Sequence, residues 1–87
     1  MSGQNWVSKS VLESLLRATQ NYGDASKRHL MESSRLPFAL FDDYFQYMLL
    51  NGFVQIKETP YENLYCLTQK GSEALNMLGN DGSLISH

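Results

Sequence analysis

The chain has 87 residues, 43% of them hydrophobic and 18% charged, with a formal net charge of −2. At this size folding buries only about 60–65% of the unfolded surface, so the chain holds one domain and one core, and its composition is that of a globular rather than a disordered protein. The negative charge argues against a protein that coats DNA regardless of sequence, because such binding rests on Lys and Arg neutralising phosphates.

Cys66 is the single cysteine. An internal disulfide is therefore excluded, and a zinc site would have to combine one thiol with the distant His29 and His87, so no metal or cofactor is expected. No apolar run approaches the roughly 18 residues that span a bilayer. Residues 1–6 lack the basic flank and apolar core of a signal peptide, so the expectation is a cytoplasmic protein without a membrane contact. Charge is unevenly spread. Residues 1–36 set Lys9, Arg17, Lys27, Arg28 and Arg35 against Glu13, Asp24 and Glu32, whereas residues 37–87 set Lys57 and Lys70 against Asp42, Asp43, Glu58, Glu62, Glu73 and Asp81.

Over residues 7–22 the apolar positions Val7, Val11, Leu12, Leu15, Leu16, Ala18 and Tyr22 recur at the spacing of an amphipathic helix, and Gly23 supplies its stop. Trp6, just before it, reads as a core plug in preference to an exposed dimer contact. Asp24 is a ready N-cap for a second helix over residues 25–34, with Leu30 and Met31 buried. Lys27, Arg28 and His29 then stand together as three candidate phosphate contacts, or as a solvated basic face.

Pro37 suits the first turn of a third helix over about residues 37–51, since its missing N–H would have no partner there. Phe41, Phe45 and Met48 make its buried stripe, flanked by Tyr44 and Leu49, and Asn51-Gly52 closes it. So short a gap between the second and third helices is the geometry of a helix-turn-helix. Residues 53–67 read as a hairpin, with Val54 and Ile56 on one side, Gln55 and Lys57 on the other, and a turn at residues 59–63. Tyr65 and Leu67 face the core on the return strand, and Cys66 the opposite side.

Thr68 caps a closing helix with Ala74, Leu75 and Leu78 as its apolar residues. Gly71 inside its first turn costs about 1 kcal/mol relative to alanine, which points to a close approach by another backbone. Residues 79–87 contain two glycines and no period. The expected organisation is an extension over residues 1–6, a domain over 7–78 and a flexible tail over 79–87. The fold class is mainly α with a small β-ribbon: three helices, a two-stranded wing and a closing helix.

Lys27-Arg28-His29-Leu30-Met31, the segment from Tyr44 through Asn51-Gly52-Phe53-Val54, and Tyr65-Cys66-Leu67-Thr68-Gln69-Lys70-Gly71 resemble the compact winged helix-turn-helix regulators of archaea and their viruses, the ArnR-like and Sso10a-like group. The resemblance covers about residues 7–78. It implies a DNA-binding transcriptional regulator that works on double-stranded DNA, with the third helix in the major groove and the wing at the backbone. By position it implies Ala39, Leu40, Asp42, Asp43, Gln46 and Tyr47 facing the groove, with Gln46 and Tyr47 near base edges, and Lys27, Arg28, Arg35, Lys57 and Tyr61 at or near phosphates.

The family is usually dimeric, and a homodimer here is expected through the first and last helices, by way of Trp6, Leu12, Leu16, Met77 and the Leu84-Ile85 pair. The long C-terminal helix of the Sso10a-like branch is expected to be missing, because the chain turns glycine-rich at Gly79. Where that family offers Ser, Thr, Lys or Arg, the third helix offers Phe38, Leu40, Asp42 and Asp43. Two accounts stay open: the aspartates favour the N-terminal half of the helix and point away from DNA, or Phe38, Leu40, Asp43 and Tyr47 form a docking surface for a protein partner.

An enzyme is not expected. Cys66, His29 and His87 have no reason to meet, and no glycine-rich phosphate loop or Cys-x-x-Cys pair is present.

Overall fold

Ser8 begins the first helix by accepting the Val11 N–H on its hydroxyl at 3.4 Å, the usual way of satisfying a free N-terminal donor. The structure is a computed structural model that describes residues 6–85, with side chains as far as residue 79. Helix α1 spans Lys9–Tyr22 and buries Leu12, Leu15, Leu16 and Thr19. Thr19 is satisfied inside the core, its hydroxyl donating to the Leu15 carbonyl at 2.8 Å. The helix ends at Gly23, whose N–H still donates to the Thr19 carbonyl at 3.1 Å and whose φ of +80° turns the following chain out of the helix.

The second helix starts later than its composition suggests. Ala25–Ser26 form a short strand, β1, and α2 spans Lys27–Ser34. Its cap is Ser26, whose hydroxyl accepts the His29 N–H at 3.1 Å, and not Asp24. The physical reason is tertiary: Ala25 is buried and pairs with Tyr65, which holds this backbone extended. With β2 at Val54–Glu58 and β3 at Asn63–Leu67, the expected two-stranded ribbon becomes a three-stranded antiparallel sheet in the order β1-β3-β2. The register sets Tyr65 between Ala25 and Ile56, and Leu64 between Ser26 and Lys57.

Helix α3 spans Phe38–Leu50 with Pro37 at its N-cap, and buries Phe41, Tyr44, Phe45 and Met48. Phe45 stacks on Phe41 at 5.4 Å and meets the edge of Tyr65 at 4.7 Å, which seats α3 on the sheet. Three residues, 35–37, separate α2 from α3, and Arg35 among them takes a left-handed conformation with φ of +60°.

Helix α4 spans Gln69–Ile85. It runs past Gly79, where the sequence suggested a helix end and the start of a tail. Gly79 and Gly82 each cost about 1 kcal/mol in a helix, but neither removes a hydrogen bond as proline would. Residues 86 and 87 lie outside the described residues.

Two further expectations change. Trp6 is not a core plug: it remains 43% exposed and lies edge-on to Tyr44 at 4.9 Å. Leu16 is wholly consumed by the domain's own core and offers no surface to a second copy, and Leu12 keeps only 6% of its surface exposed.

Candidate nucleic-acid interface

Burial of one side of α3 decides what its other side shows. Ala39, Asp43, Gln46 and Leu50 are exposed and recur four, three and four positions apart, so they form one outward stripe. Leu50 is 84% exposed and Phe38, on the first turn, 63%. Gln46 is exposed on that stripe. Tyr47 does not join it: its ring turns sideways, edge-on to Trp6 at 6.0 Å and to Phe53 at 6.3 Å, against the core.

Most of the basic residues named from the sequence have partners of their own. Lys27, the first residue of α2, reaches across to α3, where its Nζ lies 2.8 Å from Asp42 Oδ1 and 5.2 Å from the centre of the Phe45 ring. Lys57 on β2 pairs with Asp24 at 2.9 Å. The Asp24 carboxylate, through its hydrogen bond and then its charge, holds the Lys57 ammonium above the ordinary lysine value of 10.5. Arg28 is well exposed and only loosely matched by Glu32 at 3.8 Å. Arg35 is exposed in the turn and has no ion pair among the described residues. His29, the third candidate phosphate contact, rests its ring against Tyr22 at 4.6 Å.

The wing tip is organised by Thr59. Its hydroxyl donates to the Glu62 carbonyl at 2.6 Å and accepts the Glu62 and Tyr61 N–H groups at 3.1 and 3.3 Å. Tyr61 is left projecting from the turn, 94% exposed.

Sequence reasoning missed the roles of Asp24 and Asp42. The pairs they make join residues 33 and 15 positions apart, so helix or strand spacing gave no sign of either. Among the described residues no group of three His, Cys, Asp or Glu side chains is placed to hold a metal ion, and no helix is long and apolar enough to cross a membrane.

A helix, a tight turn, a second helix with one outward stripe, and a β-hairpin beside it make an arrangement that sequence comparison also finds: the family described as winged helix-turn-helix matches residues 8–84. The chain belongs to that family. Among solved structures it is similar to Sso10a-2, a DNA-binding protein from Sulfolobus solfataricus, with a TM-score of 0.75 and 12% identity over 92% of this chain and 82% of that one. SSV1 F-93 gives a TM-score of 0.66 and 17% identity over 90% and 88% of the two chains. NMB1585, a MarR family regulator from Neisseria meningitidis, gives 0.67 and 20% over 97% and 61%. At these identities the likeness is one of fold. No curated protein sequence matches the chain. In this winged helix, α2 and α3 form the helix-turn-helix, and β2 with β3 forms the wing.

Proposed function

We propose that this winged helix is a cytoplasmic, non-enzymatic DNA-binding regulator whose α3 enters the major groove. The observation that carries the reading is the outward stripe of α3, whose opposite side is locked into the core, on a helix that Lys27 of α2 reaches at Asp42. Gln46 has the amide that pairs with the N6 and N7 edge of adenine, and Asp43 the acceptor that suits a cytosine amino group. Ala39 and Leu50 present apolar surface of the kind that meets a thymine methyl. Arg28 and Arg35 supply the phosphate contacts, with Tyr61 at the backbone beside the wing.

The test is fluorescence anisotropy with duplex DNA, first of random sequence and then of a selected site, at low and near-physiological salt. Binding that weakens with salt is expected. Arg28→Glu with Arg35→Glu should weaken binding to every sequence, and Gln46→Ala should cost about 1–3 kcal/mol at the selected site alone. Absence of binding by the wild-type protein at low salt overturns the reading.

Dimerisation belongs to the same proposal and is placed at the α1 and α4 side. Met77 is exposed there beside a shallow, mostly apolar groove lined by Leu12, Tyr47, Phe53, Ala74 and Leu78. Sedimentation showing only monomer at high micromolar concentration removes it.

A second reading, a protein-docking module, is favoured by the exposure of Phe38 and Leu40 near Asp43 on the first turns of α3. Asp43→Arg would then abolish capture of the partner.

A further inference from the structure

Four cations were candidates for phosphate contacts, and the structure sorts them into two kinds. Lys27 and Lys57 each hold a carboxylate at hydrogen-bonding distance, 2.8 Å to Asp42 and 2.9 Å to Asp24. Arg28 and Arg35 do not. The two tight pairs are also adjoining. Asp24 and Lys27 bracket the strand β1, so charges of alternating sign run from the wing at Lys57, through Asp24 and Lys27, to α3 at Asp42. The Lys27 ammonium is fixed further by the ring faces of Phe45 at 5.2 Å and Phe38 at 5.9 Å.

We infer that Asp24 and Asp42 act as built-in counter-anions that suppress sequence-independent DNA affinity, leaving base contacts from α3 to decide where the protein binds. This rests on the DNA-binding reading above. The physical basis is counterion release: a lysine strengthens non-specific binding by replacing a cation condensed on the duplex. A lysine already matched by a carboxylate brings no net charge to the DNA. If its ammonium turns to a phosphate, the abandoned carboxylate then faces the duplex and repels it. Lys27 and Lys57 thus add nothing to the protein's general grip on the backbone while their carboxylates stay in place.

The experiment measures anisotropy with random-sequence duplex for the wild-type protein, Asp24→Asn, Asp42→Asn and both together, across a salt series. Asparagine keeps the shape and a hydrogen-bond acceptor for each lysine while removing the charge. Each single variant is expected to bind about tenfold more tightly at low salt, with the slope of log affinity against log salt steeper by about 0.9. The control is Asp42→Asn in a Lys27→Gln background, where no gain is expected because the lysine being released is absent.

A gain that is equally large in the Lys27→Gln background shows that net charge alone is at work and overturns the inference. So does wild-type binding that neither single variant strengthens, and in that case the DNA-binding reading stands. If neither the wild type nor the doubly neutralised variant binds DNA at low salt, the DNA-binding reading falls and takes the inference with it.

Discussion

The α-carbon of Gly71 lies against the backbone of Phe53. A Cβ at position 71 would overlap the Phe53 carbonyl oxygen and come within 2.8 Å of Leu67 Cδ1. That carbonyl also accepts the Thr68 N–H at 2.9 Å, and the Thr68 hydroxyl accepts the Gly71 N–H at 3.0 Å while donating to the Gly52 carbonyl at 2.5 Å. The first turn of α4 is thereby fastened to the loop that closes α3.

Gly71→Ala sets two effects against each other. Alanine favours the helix by about 1 kcal/mol, whereas overpacking costs roughly 1–3 kcal/mol, and more where the obstacle is backbone and unable to rotate away. The overlap wins. A net loss of about 2 kcal/mol is expected, lowering Tm by on the order of 10 °C. A variant that melts at or above the wild-type temperature would show that this contact does not restrain α4.

That close approach was legible in the sequence, because a glycine inside a helical first turn needs a reason, and so was the Thr68 cap. The buried stripe of α3 was legible too, since Phe41, Phe45 and Met48 share one helical face. What stayed hidden depends on partners distant in sequence. Ala25 reads as a helix residue until Tyr65 is known to pair with it. Lys27 and Lys57 read as free cations until Asp42 and Asp24 are brought to them by the fold. Tyr47 reads as groove-facing until Trp6 and Phe53 are seen beside it.

Arg35 occupies a left-handed conformation that costs an L residue about 1–2 kcal/mol and costs glycine little. Arg35→Gly is expected to stabilise the domain by about 0.5–1 kcal/mol, glycine's larger unfolded-state entropy cancelling part of the relief. Urea denaturation should show a higher midpoint with an unchanged slope. The same variant should bind DNA more weakly at every sequence, since a phosphate contact is gone. Stability rising while affinity falls would mark a strained residue kept for its guanidinium. Unchanged affinity would remove Arg35 from the interface.

Tyr44 ties the start of α1 to α3. Its buried hydroxyl accepts the Ser8 N–H at 2.7 Å and donates to the Trp6 carbonyl at 3.4 Å, and its ring meets Trp6 edge-on. Tyr44→Phe keeps the ring and loses both bonds, so a destabilisation of about 1 kcal/mol is expected. Tyr44→Ala also leaves a cavity and should cost about 3–5 kcal/mol. Trp6 is the only tryptophan, so its emission reports directly on this corner. A red shift in Tyr44→Ala, with little change in Tyr44→Phe, is the expected pattern. Equal shifts in both would mean that the hydroxyl, not the ring, holds Trp6 in place.

The Lys57–Asp24 pair predicts an alkaline limb in stability. Asp24 raises the folded-state pKa of Lys57 above 10.5, while the unfolded chain titrates near the ordinary value. Below about pH 10 the lysine is protonated in both states and the pair's full contribution is present. As pH rises through the interval between the two values, the unfolded chain releases its proton first, and the contribution is lost once the folded lysine also deprotonates. Both side chains are about half exposed, so the effect is small and screened by salt. It is best read as a difference between proteins. Urea midpoints of the wild type and Lys57→Met should differ by a constant amount from about pH 8 to pH 10 and converge above that range. Raising the salt should shrink the difference at the lower pH. A difference that persists unchanged to about pH 11.5 would assign the stabilisation to packing of the lysine stem and not to its pairing with Asp24.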